Sequence, residues 1–173
     1  CHGALKMEIA AVLHHRVKRL GLGHLFTDRT RVSCPEAGLS VEPDEVFLSE
    51  RSLAGGRVHL VPKSGTGPGR YIEMEGPPDA VVEIVSDASV TKDTKRLPAA
   101  YFQAGVGEFW LADARGQSLV FRIHARGPTG FEPVTPDSEG YQPSTVFACH
   151  FRLDGRRDDR GHWGFDLVEK EAE

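Results

Sequence analysis

The chain has 173 residues, 39% of them hydrophobic and 27% charged, with a formal net charge of −4 at pH 7. These values describe one ordinary folded domain with a single core, exclude a disordered chain, and argue against non-specific nucleic-acid binding by the whole surface. No apolar run approaches the ~20 residues of a membrane span, and three scattered cysteines (Cys1, Cys34, Cys149) favour a reducing cytoplasm over a disulfide framework.

The first predicted element is a helix over residues 4–20. Its apolar side chains recur at helical spacing, and Gly21 or Gly23 can end it. Two short strands are expected next, near 25–33 and 44–49. Residues 51–70 are rich in glycine and proline, which predicts a loop or hairpin insertion with one short strand at 58–61.

A nearly continuous apolar run over 79–86 predicts a strand that is buried on both faces. A helix follows, from near Thr94 to Ala104, and another strand begins at 108. A strand–helix–strand unit of this length predicts a parallel crossover connection. Beyond it, alternating runs predict antiparallel hairpins; they cover residues 118–124, 130–134, 144–153 and 162–168.

Two acidic residues stand out in these predicted strands. Asp44 follows Pro43 at the start of one strand, and Glu83 lies inside the apolar central strand. A carboxylate in such a strand is costly to bury without a partner. A divalent metal shared between Asp44 and Glu83 would be the most economical partner, and hard oxygen ligands favour Mg²⁺ or Mn²⁺. The pair therefore suggests metal-assisted hydrolysis.

Structural roles for the same acids stay open. Asp44 could be an ordinary strand-start residue after a proline. Glu83 could form a buried ion pair with an arginine or a lysine. Asp79, which follows two prolines, is expected to cap or turn the chain rather than to bind metal.

Three stretches carry a resemblance to a known family. They are Pro43-Asp44, the run PDAVVEIVS at 78–86 and the run YFQAGVGEFWLAD at 101–113. Together they resemble the Uma-two family of restriction endonucleases, which belongs to the PD-(D/E)xK nuclease superfamily. The similarity covers nearly the whole chain, and residues 77–113 are its most specific part.

The resemblance implies a fold class and a site. The fold would be α/β (α+β), a restriction-endonuclease-like core with a mixed β-sheet flanked by helices and C-terminal antiparallel strands, as one domain over 1–173. Asp44, Glu83 and the backbone carbonyl of Ile84 would bind the metal. Relatives also carry a short N-terminal hairpin with a glutamate, so we expect that this acidic contribution is missing here.

The lysine of the superfamily is displaced in this sequence. It normally stands two residues after the strand acid, where this chain has Val85. The resemblance implies that it comes instead from the following helix. Lys95 lies at the predicted start of that helix and is the favoured candidate, with Lys92 as the second.

The resemblance therefore implies a Mg²⁺- or Mn²⁺-dependent endonuclease that hydrolyses DNA phosphodiester bonds. The alternative is a catalytically silent module of the same fold that binds DNA or a protein. A homodimer is also expected, because the predicted C-terminal strands hold more apolar residues than a small sheet edge needs. These residues are Val146, Phe147, Phe151 and Leu153.

Overall fold

The computed structural model describes all 173 residues. Its three α-helices are α1 (His2–Leu20), α2 (Glu50–Ala54) and α3 (Leu97–Ala104). The first seven strands are β1 (Gly23–Thr27), β2 (Arg31–Cys34), β3 (Leu39–Val41), β4 (Glu45–Ser49), β5 (His59–Pro62), β6 (Tyr71–Glu75) and β7 (Ala80–Ile84). The remaining six are β8 (Glu108–Asp113), β9 (Val120–Arg126), β10 (Phe131–Pro133), β11 (Gln142–Ser144), β12 (Cys149–Arg157) and β13 (Trp163–Lys170).

A six-stranded mixed sheet organises the molecule. Its strand order is β1-β4-β7-β8-β9-β10, and β7 and β8 are its only parallel neighbours. Helix α3 connects these two strands, so the predicted parallel crossover is confirmed. Two smaller sheets accompany it, with the orders β3-β2-β6-β5 and β11-β12-β13.

The central strand β7 is buried on both faces, as its apolar run predicted. Its residues Val82 and Ile84 pack in the main core with Leu5 and Ile9 of α1. On the opposite face, Val81 packs with residues of α3 and β8. Helices α1 and α3 therefore sandwich the middle of the sheet, and successive residues of β7 point toward different helices.

Several sequence-based boundaries were wrong in detail. The strand expected at 25–33 is two strands, because Asp28 and Arg29 adopt left-handed backbone conformations between them (φ 35° and 59°). The segment 51–70 contributes α2, which the Ser49 side chain caps at the amide of Ser52, and one strand of the hairpin β5–β6. A π-helical turn over Lys92–Arg96 leads into α3.

The apolar residues behind the expected homodimer lie inside the chain. Phe147 and Phe151 are fully buried, and both pack against Trp110 of β8 in edge-on geometry. Leu153 belongs to the same core. Phe147 and the β12 residues Phe151 and Leu153 cover the large sheet, and Val146 is partly buried against the same core, so these side chains are largely used within the chain.

Arg16 is 1% exposed, although arginine usually lies at the protein surface. Its guanidinium donates to the carbonyls of Phe147 and Ala148 at 2.8 and 2.9 Å. It also contacts the carboxylates of Glu169 and Glu171 at 3.2 and 2.7 Å. Arg16 therefore ties α1 to the C-terminal hairpin.

Replacing Arg16 with Ala should lower the free energy of unfolding by about 3 kcal/mol, because two buried carbonyls lose their donor and Glu169 loses its counter-charge. Urea denaturation measures the change. Arg19→Ala, which removes an exposed guanidinium of the same helix, is the matched control and should cost less than about 1 kcal/mol. Equal losses in the two variants would contradict the role given to Arg16.

No helix of the structure combines the length and the apolar character that crossing a membrane requires.

Candidate active site

Asp44 and Glu83 come together at one edge of the large sheet. The antiparallel register of β4 and β7 pairs Glu45 with Val82, which sets Asp44 beside Glu83. The Asp44 carboxylate turns toward β7, and its Oδ2 accepts a hydrogen bond from the backbone amide of Ile84 at 2.8 Å. Asp44, Glu83 and the Ile84 peptide thus lie next to one another at this edge.

Glu83 is 3% exposed and has an uncharged partner. The Tyr101 hydroxyl of α3 donates to its Oε1, and Oε2 has no hydrogen bond. Burial raises the pKa of Glu83 to about 8, the Tyr101 hydrogen bond opposes this rise, and the charges of Asp44 and Asp93 add to it. The buried ion pair with an arginine or a lysine is therefore not the arrangement found.

The two candidate lysines occupy different places. Lys92, in the π-helical turn, lies near enough to Glu83 for its charge to lower the pKa of that carboxyl. Its Nζ is 3.6 Å from Oδ1 of Asp93. Lys95 lines a separate shallow depression beside Phe102 and Phe131. Of the two, Lys92 is the lysine whose charge reaches Glu83.

Asp93 is a buried acid that the sequence did not single out. It is 1% exposed, its Oδ2 accepts from the Ser89 hydroxyl, and its Oδ1 has no hydrogen bond. In the sequence Asp93 lies in a polar segment, where a solvated side chain is the ordinary expectation. Asp93 lies within the π-helical turn Lys92–Arg96, which directs its side chain inward. Such turns are frequent at functional sites.

The N-terminal end of α1 also reaches the site, which the sequence did not indicate. Lys6 Nζ donates to Asp44 Oδ1 at 2.8 Å and also contacts Asp28. One turn earlier, His2 Nε2 lies 2.9 Å from the carbonyl oxygen of Ile84. Burial disfavours the charge of Lys6, but its hydrogen bonds to Asp28 and Asp44 outweigh this and raise the pKa of the ammonium.

Glu45 is the third acid at this edge, on the α1 face of β4. It is fully buried, and neither carboxylate oxygen has a hydrogen-bond partner. Desolvation raises the pKa of Glu45 to about 8, and the Lys6 ammonium is the only nearby charge that counteracts the rise. A buried carboxyl without a partner is unusual in a folded protein.

Asp79 has a structural role, as its position after two prolines predicted. Its Oδ2 accepts from the Ser49 amide at 2.7 Å, and its Oδ1 accepts from the Ser52 hydroxyl at 2.8 Å. Asp79 thus fixes the start of α2 against β7.

The donor set at this edge suits a hard divalent cation. Glu83 Oε2 is free, Asp44 Oδ1 is held only by an ammonium, and the Ile84 carbonyl faces the same edge. No group of three or more His, Cys, Asp or Glu side chains with ligand geometry occurs anywhere in the structure. Two carboxylates and a carbonyl, completed by water, fit Mg²⁺ or Mn²⁺ better than Zn²⁺.

The fold and the acidic edge define a class: the chain has a restriction-endonuclease-like core. A family model described as "putative restriction endonuclease", named Uma2, matches residues 1–161. The chain therefore belongs to the Uma2 family, the Uma-two family that its motifs resembled.

One solved structure supports the fold assignment. A crystal structure described as "a putative nuclease belonging to DUF820" from Anabaena variabilis ATCC 29413 superposes with a TM-score of 0.59. The alignment covers 85% of this chain and 73% of the other at 20% sequence identity. No curated protein matches the chain.

Proposed function

We propose that the chain is a single nuclease domain, residues 1–173, that hydrolyses DNA phosphodiester bonds with Mg²⁺ or Mn²⁺. The observation that carries the proposal is the meeting of Asp44 with the Glu83–Ile84 edge of β7 in a chain of the Uma2 family. The crystal structure from Anabaena variabilis, described as "a putative nuclease belonging to DUF820", shares the fold on which this proposal rests.

Asp44, Glu83 and the Ile84 carbonyl would hold the cation. A divalent metal at this position supplies an activated water and neutralises charge that develops on the phosphate. Tyr101 keeps the Glu83 side chain in place through its hydroxyl, because that carboxyl has no other hydrogen bond. Glu83 is 3% exposed and the Asp44 side chain 17% exposed, so little bulk water reaches the pair, which strengthens the electrostatic interactions of the site.

Lys92 is our choice for the displaced lysine. Val85, which stands at the usual position of the lysine, is 2% exposed and has an apolar side chain. The Lys92 charge lowers the pKa of Glu83, and its Nζ lies 3.6 Å from Asp93 Oδ1, whereas Lys95 lines a separate depression with Phe102. An ammonium beside the strand acid can orient the attacking water and stabilise a phosphate oxygen.

Lys92→Ala should lower the rate of DNA cleavage by about 10²-fold, the usual contribution of one well-placed charged or proton-transferring group. Lys95→Ala, which removes the same charge three residues away, is the control and should change the rate by less than about threefold. Nicking of supercoiled plasmid under single-turnover conditions measures both. A larger loss in the Lys95 variant would transfer the role to Lys95.

The basic experiment compares plasmid DNA with the purified chain in Mn²⁺, Mg²⁺ and EDTA. Nicking that requires metal supports the proposal. Protein that binds Mn²⁺ in calorimetry yet leaves DNA, RNA and phosphomonoesters intact would contradict it.

A silent module of the same fold is the second candidate, and Val85 in the lysine position favours it. Such a protein would bind DNA or another protein without a cation at Asp44. Absence of Mn²⁺ binding at millimolar concentration, together with retained DNA binding, would support this candidate.

Cytoplasmic localisation and a homodimer also remain proposals. With Phe147 and Phe151 buried, a dimer would need another surface, and Tyr71 and Ile72 are the neighbouring large apolar side chains that the chain exposes, at 48% and 53%. Light scattering at micromolar concentration gives the oligomeric state, and a dimer that persists in a Tyr71→Ser, Ile72→Ser variant would exclude this surface.

A further inference from the structure

Lys6 and Asp44 form a largely enclosed ion pair at the centre of the candidate site. The Nζ–Oδ1 distance is 2.8 Å, and their side chains are 16% and 17% exposed. Asp28, the other acid in contact with Lys6, is 71% exposed. Of the two contacts of the Lys6 ammonium, the one sheltered from solvent is therefore with Asp44, a proposed metal ligand.

The helix that carries Lys6 holds the ammonium at this edge. Leu5 and Ile9, which flank Lys6 along α1, are fully buried in the main core. His2 precedes Lys6 by one helical turn on the same face and contacts the Ile84 carbonyl at 2.9 Å. Lys6 and His2 of α1 therefore contact two of the proposed metal-binding groups, Asp44 and the Ile84 carbonyl. Because α1 is anchored in the core, Lys6 can move only a short distance from the site.

The Asp44 carboxylate cannot serve the ammonium and a divalent cation equally. Its Oδ2 accepts from the Ile84 amide and its Oδ1 from Lys6, so a cation that binds either oxygen lies within a few ångströms of the ammonium. Two positive charges on one carboxylate repel each other. Binding of metal therefore frees the Lys6 ammonium within a few ångströms of the site.

One acidic partner of the freed ammonium remains. Asp28, which is 71% exposed, contacts Lys6 on the solvent side. This contact keeps the ammonium beside Asp44 after that carboxylate is lost, at the edge where a phosphate of bound DNA would have to lie.

We propose that Lys6 is an exchangeable cation of this site, which neutralises Asp44 in the metal-free protein and contacts a phosphate oxygen of the substrate when metal occupies Asp44. The inference rests on the proposed nuclease function. It assigns to α1 a catalytic residue that supplements Lys92 and helps to offset the absence of a lysine at Val85. No covalent bond changes at Lys6; only its partner changes.

The test uses Lys6→Met, which keeps the length of the side chain and removes its charge. The affinity for Mn²⁺ should rise while the cleavage rate falls. Removal of a competing charge should lower the dissociation constant for Mn²⁺ about tenfold in calorimetry without DNA. Loss of the phosphate contact should lower the cleavage rate at saturating Mn²⁺ by about 10²-fold.

Lys18→Gln is the matched control, since Lys18 is an exposed lysine of the same helix. It should leave both quantities unchanged. Lys6→Arg, which keeps the charge, should bind Mn²⁺ within about threefold of the wild type. If Lys6→Met does not fold, as judged by circular dichroism, Lys6→Gln replaces it.

The outcomes separate the inference from the proposed function. Unchanged Mn²⁺ affinity or unchanged cleavage in the Lys6 variant overturns the exchangeable cation, even if wild-type protein cuts DNA. A merely structural ion pair would lower stability and leave Mn²⁺ affinity unchanged or weaker. If wild-type protein binds no Mn²⁺ and cuts no DNA, the nuclease proposal fails, and the inference fails with it.

Discussion

Glu83→Gln should reduce metal-dependent DNA cleavage by at least about 10³-fold, because it removes one of two carboxylates that hold the cation. Gln has the shape of Glu and can still accept the Tyr101 hydrogen bond through its amide oxygen. Single-turnover nicking of plasmid at saturating Mn²⁺ measures the rate, and calorimetry measures the loss of Mn²⁺ binding.

The same substitution should not weaken the fold. With its pKa raised to about 8, Glu83 carries a proton near neutral pH in the metal-free protein, and Gln is the nearest neutral equivalent. Glu42→Gln, at an exposed position before β4, is the control for a carboxylate lost elsewhere. A Glu83→Gln protein that melts like the wild type and still cuts DNA would exclude the proposed site.

The second large effect is on stability. Glu45→Gln should raise the free energy of unfolding at pH 8.5 by about 4 to 5 kcal/mol in EDTA. Ionisation of a fully buried carboxyl without partners is unfavourable, and Gln cannot ionise. Urea denaturation across pH 4 to 9 measures the difference from wild type.

The sign follows from the two pKa values of Glu45, 4.5 in the unfolded chain and about 8 in the folded protein. Below pH 4.5 both states carry the proton, and wild type and variant should be equally stable. Between these values only the folded state keeps the proton, so wild-type stability falls as pH rises, by about 1.4 kcal/mol per pH unit. Above pH 8 the loss is complete.

Glu36→Gln removes an exposed carboxylate and serves as the control for net charge. Its stability should follow that of the wild type across the whole pH range. Parallel pH curves for Glu45→Gln and wild type would mean that Glu45 finds a partner in solution that the structure does not contain.

The acids of the site were accessible to sequence reasoning for a physical reason. A carboxylate inside an apolar strand must be compensated, and a Pro-Asp at the start of another strand offers a ligand that can meet it. Local patterns also determined α1, the buried strand β7 and the β7–α3–β8 unit, since helix and strand periodicities depend only on neighbouring residues.

Other features of the site depend on which distant segments meet. Lys6 is 38 residues from Asp44, and His2 is 82 residues from Ile84; their contacts arise only because α1 packs across β7. Nothing in the neighbourhood of Lys6 distinguishes it from a solvated helix lysine. Asp93 is similar, because a π-helical turn rather than its polar segment brings it inward.

The sequence by itself determined the central strands and singled out the two acids, because these depend on hydrophobic periodicity and on the cost of burying charge. The family was indicated separately, by the resemblance of the motifs at 43–44, 78–86 and 101–113. Only the tertiary structure decided which charges surround those acids. It brought the charge of Lys92 within electrostatic range of Glu83, buried Glu45 without a partner and brought Lys6 to Asp44. Electrostatic energy depends on distance through space, and separation along the chain does not fix that distance.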